Sequence, residues 1–347
     1  MDGHGAAFCY QCECVCVSVS AATGKDDKDD YNSFSKMIPV PAFITKCGYG
    51  YGMAACPMLK VLVTASHNDL TVFALPDSLA VTPGVRSGLT RIRTIGGGGC
   101  AQFKFMDYAG VSGYMAFTGA TAATRMLLVT DSGNHAVHVI DVVHGAHVGY
   151  LAAPGSICKP RCVAAWGLKV AVSAFFQGGV NSFVQLYEGT GATWTVGRMI
   201  RTGCPSAVRF ANDGKELAVS VSLYRVHDGA FVRHLIVGLG DLPADVEECA
   251  EYGWVVLLWD GSHSIQFAGG AGGAGGTGDR VLLGGEFVYP SAMAFVPGLG
   301  LVVREFGNGG RVQLFATPDA VAMAAMSVMR TTWMTTVLRF AINNWKE

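Results

Sequence analysis

The chain reads as an all-β protein, a six-bladed β-propeller of four-stranded antiparallel blades, on three observations. Its composition is that of a packed, turn-rich chain: half of the 347 residues are apolar, 46 are glycine and only 15% are charged, against about a quarter charged in an ordinary globular protein. A short entry pattern recurs along the chain, each time followed by an apolar strand. Those second strands are apolar on both faces, as strands are when each sheet is wedged between two others.

The recurrence is plainest between distant parts of the chain. GYGMAACPMLKVLVTASHNDLTVF from Gly50 can be written over PSAMAFVPGLGLVVREFGNGGRVQLF from Pro290, with Met53 and Ala54 on Met293 and Ala294, Pro57 on Pro297 and Val63 on Val303. Between them lie SGYMAF from Ser112, PRCVAA from Pro160, PSAVRF from Pro205 and PADVEE from Pro243. The six entries are 62, 48, 45, 38 and 47 residues apart, a spacing that suits a four-stranded blade.

Within each unit the elements follow in order. The entry strand leads to an apolar strand such as LLVTD, LKVAVS, ELAVS or WVVLLWD. A Gly/Asn corner comes next, as at Gly133-Asn134 and Asn308-Gly309, where positive φ is cheap. A third strand (AVHVID, RVQLF) and in most units a fourth (TRIRTI, HVGYL, GRMIR, FVRHLIV, RVLL) complete the set. The fourth unit, ELAVSVSLYRVHDG, has lost the corner between its second and third strands. The sixth lacks a fourth strand of its own, and MIPVPAFIT, residues 37–45, can supply it from the N-terminal side, with Pro39 and Pro41 suited to an outer edge.

The expected layout is therefore a disordered, cysteine-bearing tail over 1–36, a propeller over 37–316 and an amphipathic helix over 317–347. Thr317, Pro318 and Asp319 make a helix start, and Met326, Met329, Trp333, Val337 and Phe340 follow at helical spacing.

LLVTDSGNHAVHVID resembles the core of the NHL repeat, including its Asn134-His135 pair, and GGEFVYPSAMAF resembles the entry of the same repeat. IGGGGCAQF resembles the glycine-rich linker into such a unit. The resemblance spans roughly residues 38–315 and is clearest in the second and sixth units. It implies a propeller used chiefly as a protein-interaction scaffold; some members of the family bind RNA, and a few related propellers are lyases or lactonases with a channel metal.

Several function classes lose support from the residues themselves. With 25 Lys+Arg against 26 Asp+Glu, no global charge points to nucleic acid or an anionic membrane. No run of 18 uncharged apolar residues suggests a transmembrane span. Asp2, Gln11 and Glu13 do not make a secretory leader, and single scattered cysteines fit a reducing compartment, so a cytoplasmic monomer is expected.

Three features could carry chemistry. Cys9, Cys12, Cys14 and Cys16 lack the second pair that a structural zinc site wants. His135, His138, His144 and His147 all belong to one blade, whereas a channel metal needs ligands from several, so they read as surface and inter-blade residues. AGGAGGAGGTG, 268–278, has no Lys-Ser/Thr after it and opens no helix, which leaves a flexible excursion. The wall positions after each entry are Ala54, Ala116, Ala164, Arg209, Glu247 and Ala294, mostly alanine. No catalytic residue, metal ligand or cofactor is expected.

One charge pattern survives the balanced total. Residues 158–240 hold nine Lys/Arg against four Asp/Glu, and residues 241–286 hold one Arg against eight Asp/Glu. Such an arrangement serves either as salt bridging between neighbouring blades or as a polarised face for a protein partner, with Arg161, Arg209 and Arg233 as the binding candidates. RNA recognition through the same arginines is the weaker reading, because aromatics to stack on bases are not interleaved with them.

Overall fold

Strands that must bury both faces need a neighbouring sheet on each side, and a closed ring supplies one to every sheet. The structure is a computed structural model that describes residues 43–316, apart from segments of which 77–87, 97–113, 175–181, 236–242, 259–264 and 269–280 are the longest. The N-terminal tail with its four clustered cysteines, the glycine excursion beyond Ala268 and the C-terminal helix expected over 317–347 lie outside the described residues.

The chain begins with β1 (Phe43–Lys46) and then lays down sheets of consecutive strands. The first sheet is β2 (Met53–Cys56), β3 (Val61–Ser66), β4 (Asp69–Ala74) and β5 (Arg91–Gly96). The second is β6 (Met115–Thr118), β7 (Met126–Asp131), β8 (Ala136–Asp141) and β9 (Ala146–Ala152). The third is β10 (Pro160–Trp166), β11 (Lys169–Ala174), β12 (Phe183–Gly189) and β13 (Trp194–Arg201). β14 (Val208–Phe210), β15 (Glu216–Val219), β16 (Ser222–Arg225) and β17 (Phe231–His234) make the fourth, and β18 (Pro243–Cys249), β19 (Gly253–Leu258), β20 (Ile265–Ala268) and β21 (Val281–Leu283) the fifth. The last strands, β22 (Pro290–Val296), β23 (Gly300–Glu305) and β24 (Arg311–Ala316), join β1. All six sheets are four-stranded and antiparallel, and the only helix among the described residues is a single 3-10 turn, Ala122–Thr124.

The arrangement is that of a β-propeller. Each sheet's first strand lies innermost, and successive inner strands β2, β6, β10, β14, β18 and β22 neighbour one another in turn, β22 coming back to β2. The sixth sheet is completed from the other end of the chain: β1 pairs antiparallel with β24, Phe43 opposite Leu314 and Lys46 opposite Arg311. The closing strand expected over 37–45 is thus seen at Phe43–Lys46, and Pro39 and Pro41 fall outside the described residues.

The core consists of six apolar layers, one between each pair of neighbouring sheets, and the second strands feed two layers at once. Leu62 enters the layer shared with the sixth sheet while Val63 enters that shared with the second. Leu127 and Leu128 divide in the same way, as do Val302 and Val303. A strand's side chains alternate faces, so a continuous apolar run is what this geometry requires. Each fully buried Leu or Val contributes roughly 1.5–3 kcal/mol.

Two corners differ from the expectation. In the second sheet the left-handed residue is His135 (φ 54), one place after Gly133-Asn134. The Asp131 carboxylate holds the turn, accepting the Asn134 backbone N–H at 3.0 Å and its side-chain amide at 2.8 Å, while His135 Nδ1 accepts the Lys159 N–H at 3.0 Å. The fourth sheet has a corner after all: Ser220 and Val221 alone connect β15 to β16, with Ser220 at φ 53. No glycine or asparagine marks it. Ser220 Oγ instead accepts the buried Ser206 N–H at 2.9 Å, which anchors the turn to the strand entry.

Candidate functional site

The inner strands enclose a cavity of about 220 Å³. Ala54, Ala116 and Ala294 are among its lining residues, and Arg209, Asp245 and Glu247 supply polar groups. The asymmetry follows from the sequence: Arg209, Asp245 and Glu247 come from the fourth and fifth units, and Arg125 of the second also lines the cavity.

Those polar groups join sheets. Arg209 on β14 forms an ion pair with Glu247 on β18, with side chains 29% and 12% exposed. Asp245, recessed in the same wall, accepts the N–H of Met293 on β22 at 2.9 Å and that of its neighbour Val246 at 2.9 Å. Burial raises its carboxyl pKa to about 6 against the pull of Arg209 and of these two N–H groups. Tyr114, just before β6, places its hydroxyl 3.3 Å from the Ala244 carbonyl and 3.4 Å from that of Ser291, so the second sheet reaches across to the fifth and sixth. Its phenol is pushed well above the ordinary tyrosine range, by burial first. Arg304, fully buried on β23, donates from Nη1 to the Gly52 carbonyl at 2.6 Å and so ties the sixth sheet to the first. Burial pulls its guanidinium pKa down, while Cys47 and Asp69 pull it up.

The three candidate arginines occupy different places. Arg161 on β10 and Arg209 on β14 lie on inner strands; Arg161 is partly buried, and its carbonyl accepts the Thr130 hydroxyl at 2.9 Å. Arg233 is exposed on β17, the outermost strand of the fourth sheet. Of the three, Arg209 lines the cavity, Arg161 is not among its lining residues, and Arg233 lies on an outer strand. At Arg209 the basic and acidic sectors meet in an ion pair between blades.

The histidines separate likewise. His138 is 1% exposed, not a surface residue, with Nε2 3.0 Å from Asp131 Oδ2 and Nδ1 3.0 Å from His147 Nε2. A carboxylate on one side sets the tautomer: His138 Nε2–H donates to Asp131, and Nδ1 accepts from His147. Burial first, and then the neighbouring His138, lower the His147 pKa. His144 is exposed and contacts Asp141 at 2.6 Å. Among the described residues no group of three or more His, Cys, Asp or Glu side chains is placed to hold a metal ion.

Asp245 and Tyr114 were missed by sequence reasoning. Asp245 could have been found, since PADVEE places acids at alternate positions 245 and 247 of one inner strand, where side chains share a face. Tyr114 carries no such signal, because an aromatic in SGYMAF reads as core.

No family model matches the chain, and no curated protein matches it. Among solved structures it is similar to a chain in the "Crystal Structure of Mitotic Checkpoint Complex", with a TM-score of 0.50 and 9% identity, covering 86% of this chain and 99% of that one. At this identity the likeness concerns the fold, a β-propeller.

Proposed function

We propose that the chain is a non-catalytic protein-interaction scaffold built on a six-bladed, NHL-like propeller and acting as a cytoplasmic monomer. The observation that carries this reading is the use made of the channel's polar groups. Arg209–Glu247 and Asp245–Met293 on the wall, and Arg304–Gly52 one strand further out, each link neighbouring sheets, and Tyr114 spans the ring, so these polar side chains hold the blades in place. A rigid ring of that kind presents its loops and outer strands as a fixed surface. The similar propeller in the mitotic checkpoint complex, a protein assembly by its title, agrees with a scaffold role. Of the candidate arginines, Arg233 is the one set on the rim.

The test is affinity capture from native lysate, followed by reconstitution with the purified partner. A partner that rebinds the pure chain at 1:1 supports the scaffold; failure of every captured protein to rebind overturns it. The channel-metal lyase or lactonase reading rests on the cavity with Asp245 and Glu247, and it would be favoured by a stoichiometric metal that is lost in Asp245→Asn. An RNA-binding module would show salt-dependent binding of single-stranded RNA in place of protein capture.

A further inference from the structure

The third sheet ends in β13, at eight residues the longest strand of the described chain, and no described strand pairs with its outer edge. Five consecutive residues from Thr195 to Met199 are exposed, among them Val196 at 71% and Met199 at 46%. Edge strands leave a row of backbone N–H and C=O groups ready to pair with another chain.

The register assigns the side chains to faces. Val196 stands opposite Tyr187, Met199 opposite Gln185 and Arg201 opposite Phe183; Tyr187 and Phe183 belong to the apolar layer between the second and third sheets. Val196, Met199 and Arg201 therefore line the side of β13 turned to the second sheet. Across the gap Gly149 on β9 stands opposite Val139 of the same layer, and a Cβ built on Gly149 would meet nothing within 4 Å. The outer end of this layer is thus an open groove with an aliphatic wall. On the other face of β13, Arg198 lies at the bulge opposite Leu186, against the β16–β17 turn at Gly229.

Charge selects the occupant. Arg198 and Arg201 are exposed and form no ion pair among the described residues, and neither β13 nor β9 contains an Asp or Glu. Arginines and a bulge would by themselves serve to repel a neighbouring edge, but Val196 and Met199 give the same edge an apolar grip. We propose that β13 and the groove towards β9 dock an extended, acidic segment of a partner protein. That segment adds outside β13 as a fifth strand, sets aliphatic side chains on Val196 and Met199, and pairs its carboxylates with Arg198 and Arg201. The proposal rests on the scaffold reading and deepens it.

The probe is a fluorescein-labelled octapeptide of four aspartates and four aliphatic residues, titrated with the full chain and followed by fluorescence anisotropy. A lysine counterpart and an oligouridine of equal length are run beside it. The aspartate peptide should bind, more weakly as salt rises, and Arg198→Glu/Arg201→Glu should weaken it about tenfold, the scale of two lost surface pairs plus repulsion. Val196→Asp should weaken it as well, while Arg91→Glu/Arg93→Glu on β5, an equal change of charge on another edge, should leave it within about twofold. Circular dichroism and melting confirm that each variant is folded.

No binding of the aspartate peptide, equal losses in the β5 and β13 variants, or tighter binding of oligouridine through the same arginines would each overturn the proposal. Tighter peptide binding by the full chain carrying Asp26→Asn, Asp27→Asn, Asp29→Asn and Asp30→Asn would show that the chain's own acidic segment fills the groove, and would also overturn it. A captured partner that rebinds wild type and the β13 variants equally refutes this groove and leaves the scaffold standing.

Discussion

Arg209 and Glu247 come from different sheets and meet as an ion pair on the channel wall, where the basic and acidic sectors of the sequence adjoin. Removing one member leaves the other recessed without its counter-charge. A fully buried pair broken in this way costs about 3–5 kcal/mol; with Arg209 29% exposed, Arg209→Met should cost about 2 kcal/mol. Arg209→Met/Glu247→Met should recover most of that loss, because both charges leave together. Urea unfolding of the four proteins in the cycle measures the coupling, and additivity of the two single changes would show that the pair does not hold the sheets together.

Asp245 makes stability depend on pH in a direction opposite to that of an ordinary paired carboxylate. Its folded pKa, about 6, lies above the ordinary 3.8 because burial disfavours the charge more than Arg209 and two N–H groups favour it. Below about pH 3 the group is protonated in both states and imposes no penalty. As pH rises from about 4 to 6 the unfolded chain ionises while the folded one keeps its proton, so folded stability falls, by on the order of 3 kcal/mol, and levels off above about 7. Asp141 and Asp213, whose pKa values are lowered, contribute with the opposite sign but are common to wild type and variant. The difference between wild type and Asp245→Asn, measured as urea midpoints from pH 4 to 7.5, should therefore show this slope, and a constant difference would refute the assignment.

Ser220 does two things at once in the two-residue turn between β15 and β16. Its left-handed backbone carries strain of about 1–2 kcal/mol, while its hydroxyl satisfies the buried Ser206 N–H. Ser220→Gly relieves the strain and loses the hydrogen bond, so the net change should stay within about 1 kcal/mol. Ser220→Val loses the bond and adds a β-branched side chain at positive φ, and should cost about 2–4 kcal/mol. Thermal melts of both variants check this; equal stabilities would mean that the turn relaxes freely.

The same residue shows why parts of the fold were legible and others were not. Apolar second strands such as LLVTD announce burial on both faces because a wedge-shaped sheet requires it, and the entry motifs repeat because each inner strand meets the same surroundings. The corner at Ser220 could not be read, since positive φ is stabilised there by a hydrogen bond to a residue 14 positions away, and no local composition records that. At the site, Arg209 and Glu247 were visible as exceptions in a ring of alanines, but their pairing depends on which sheets adjoin. His138 read as a surface residue for the same reason: its burial depends on Asp131 and His147, brought to it from neighbouring strands of its own sheet. The exposed groove beside β13 depends on the missing side chain of Gly149, which sequence shows only as one glycine among 46.

Ring closure gives the last prediction. The sixth sheet takes its outer strand from the N-terminal side of the chain, and among the described residues, 43–46 are the ones that pair with the outer edge of β24. Deleting residues 1–30 leaves β1 in place, so the melting temperature should move by no more than a few degrees. Deleting residues 1–46 removes four strand residues together with the buried hydroxyl of Thr45, which accepts the Leu89 N–H at 2.6 Å. The edge of β24, with Val312 and Leu314 buried in the layer beside it, then faces solvent. A loss of about 3–4 kcal/mol corresponds to roughly 10 °C in a domain of this size, and an open, apolar edge adds a tendency to aggregate. Differential scanning calorimetry and light scattering on the two truncations separate the effects. Equal melting and equal solubility of both would show that the β1–β24 pairing contributes little to closing the ring.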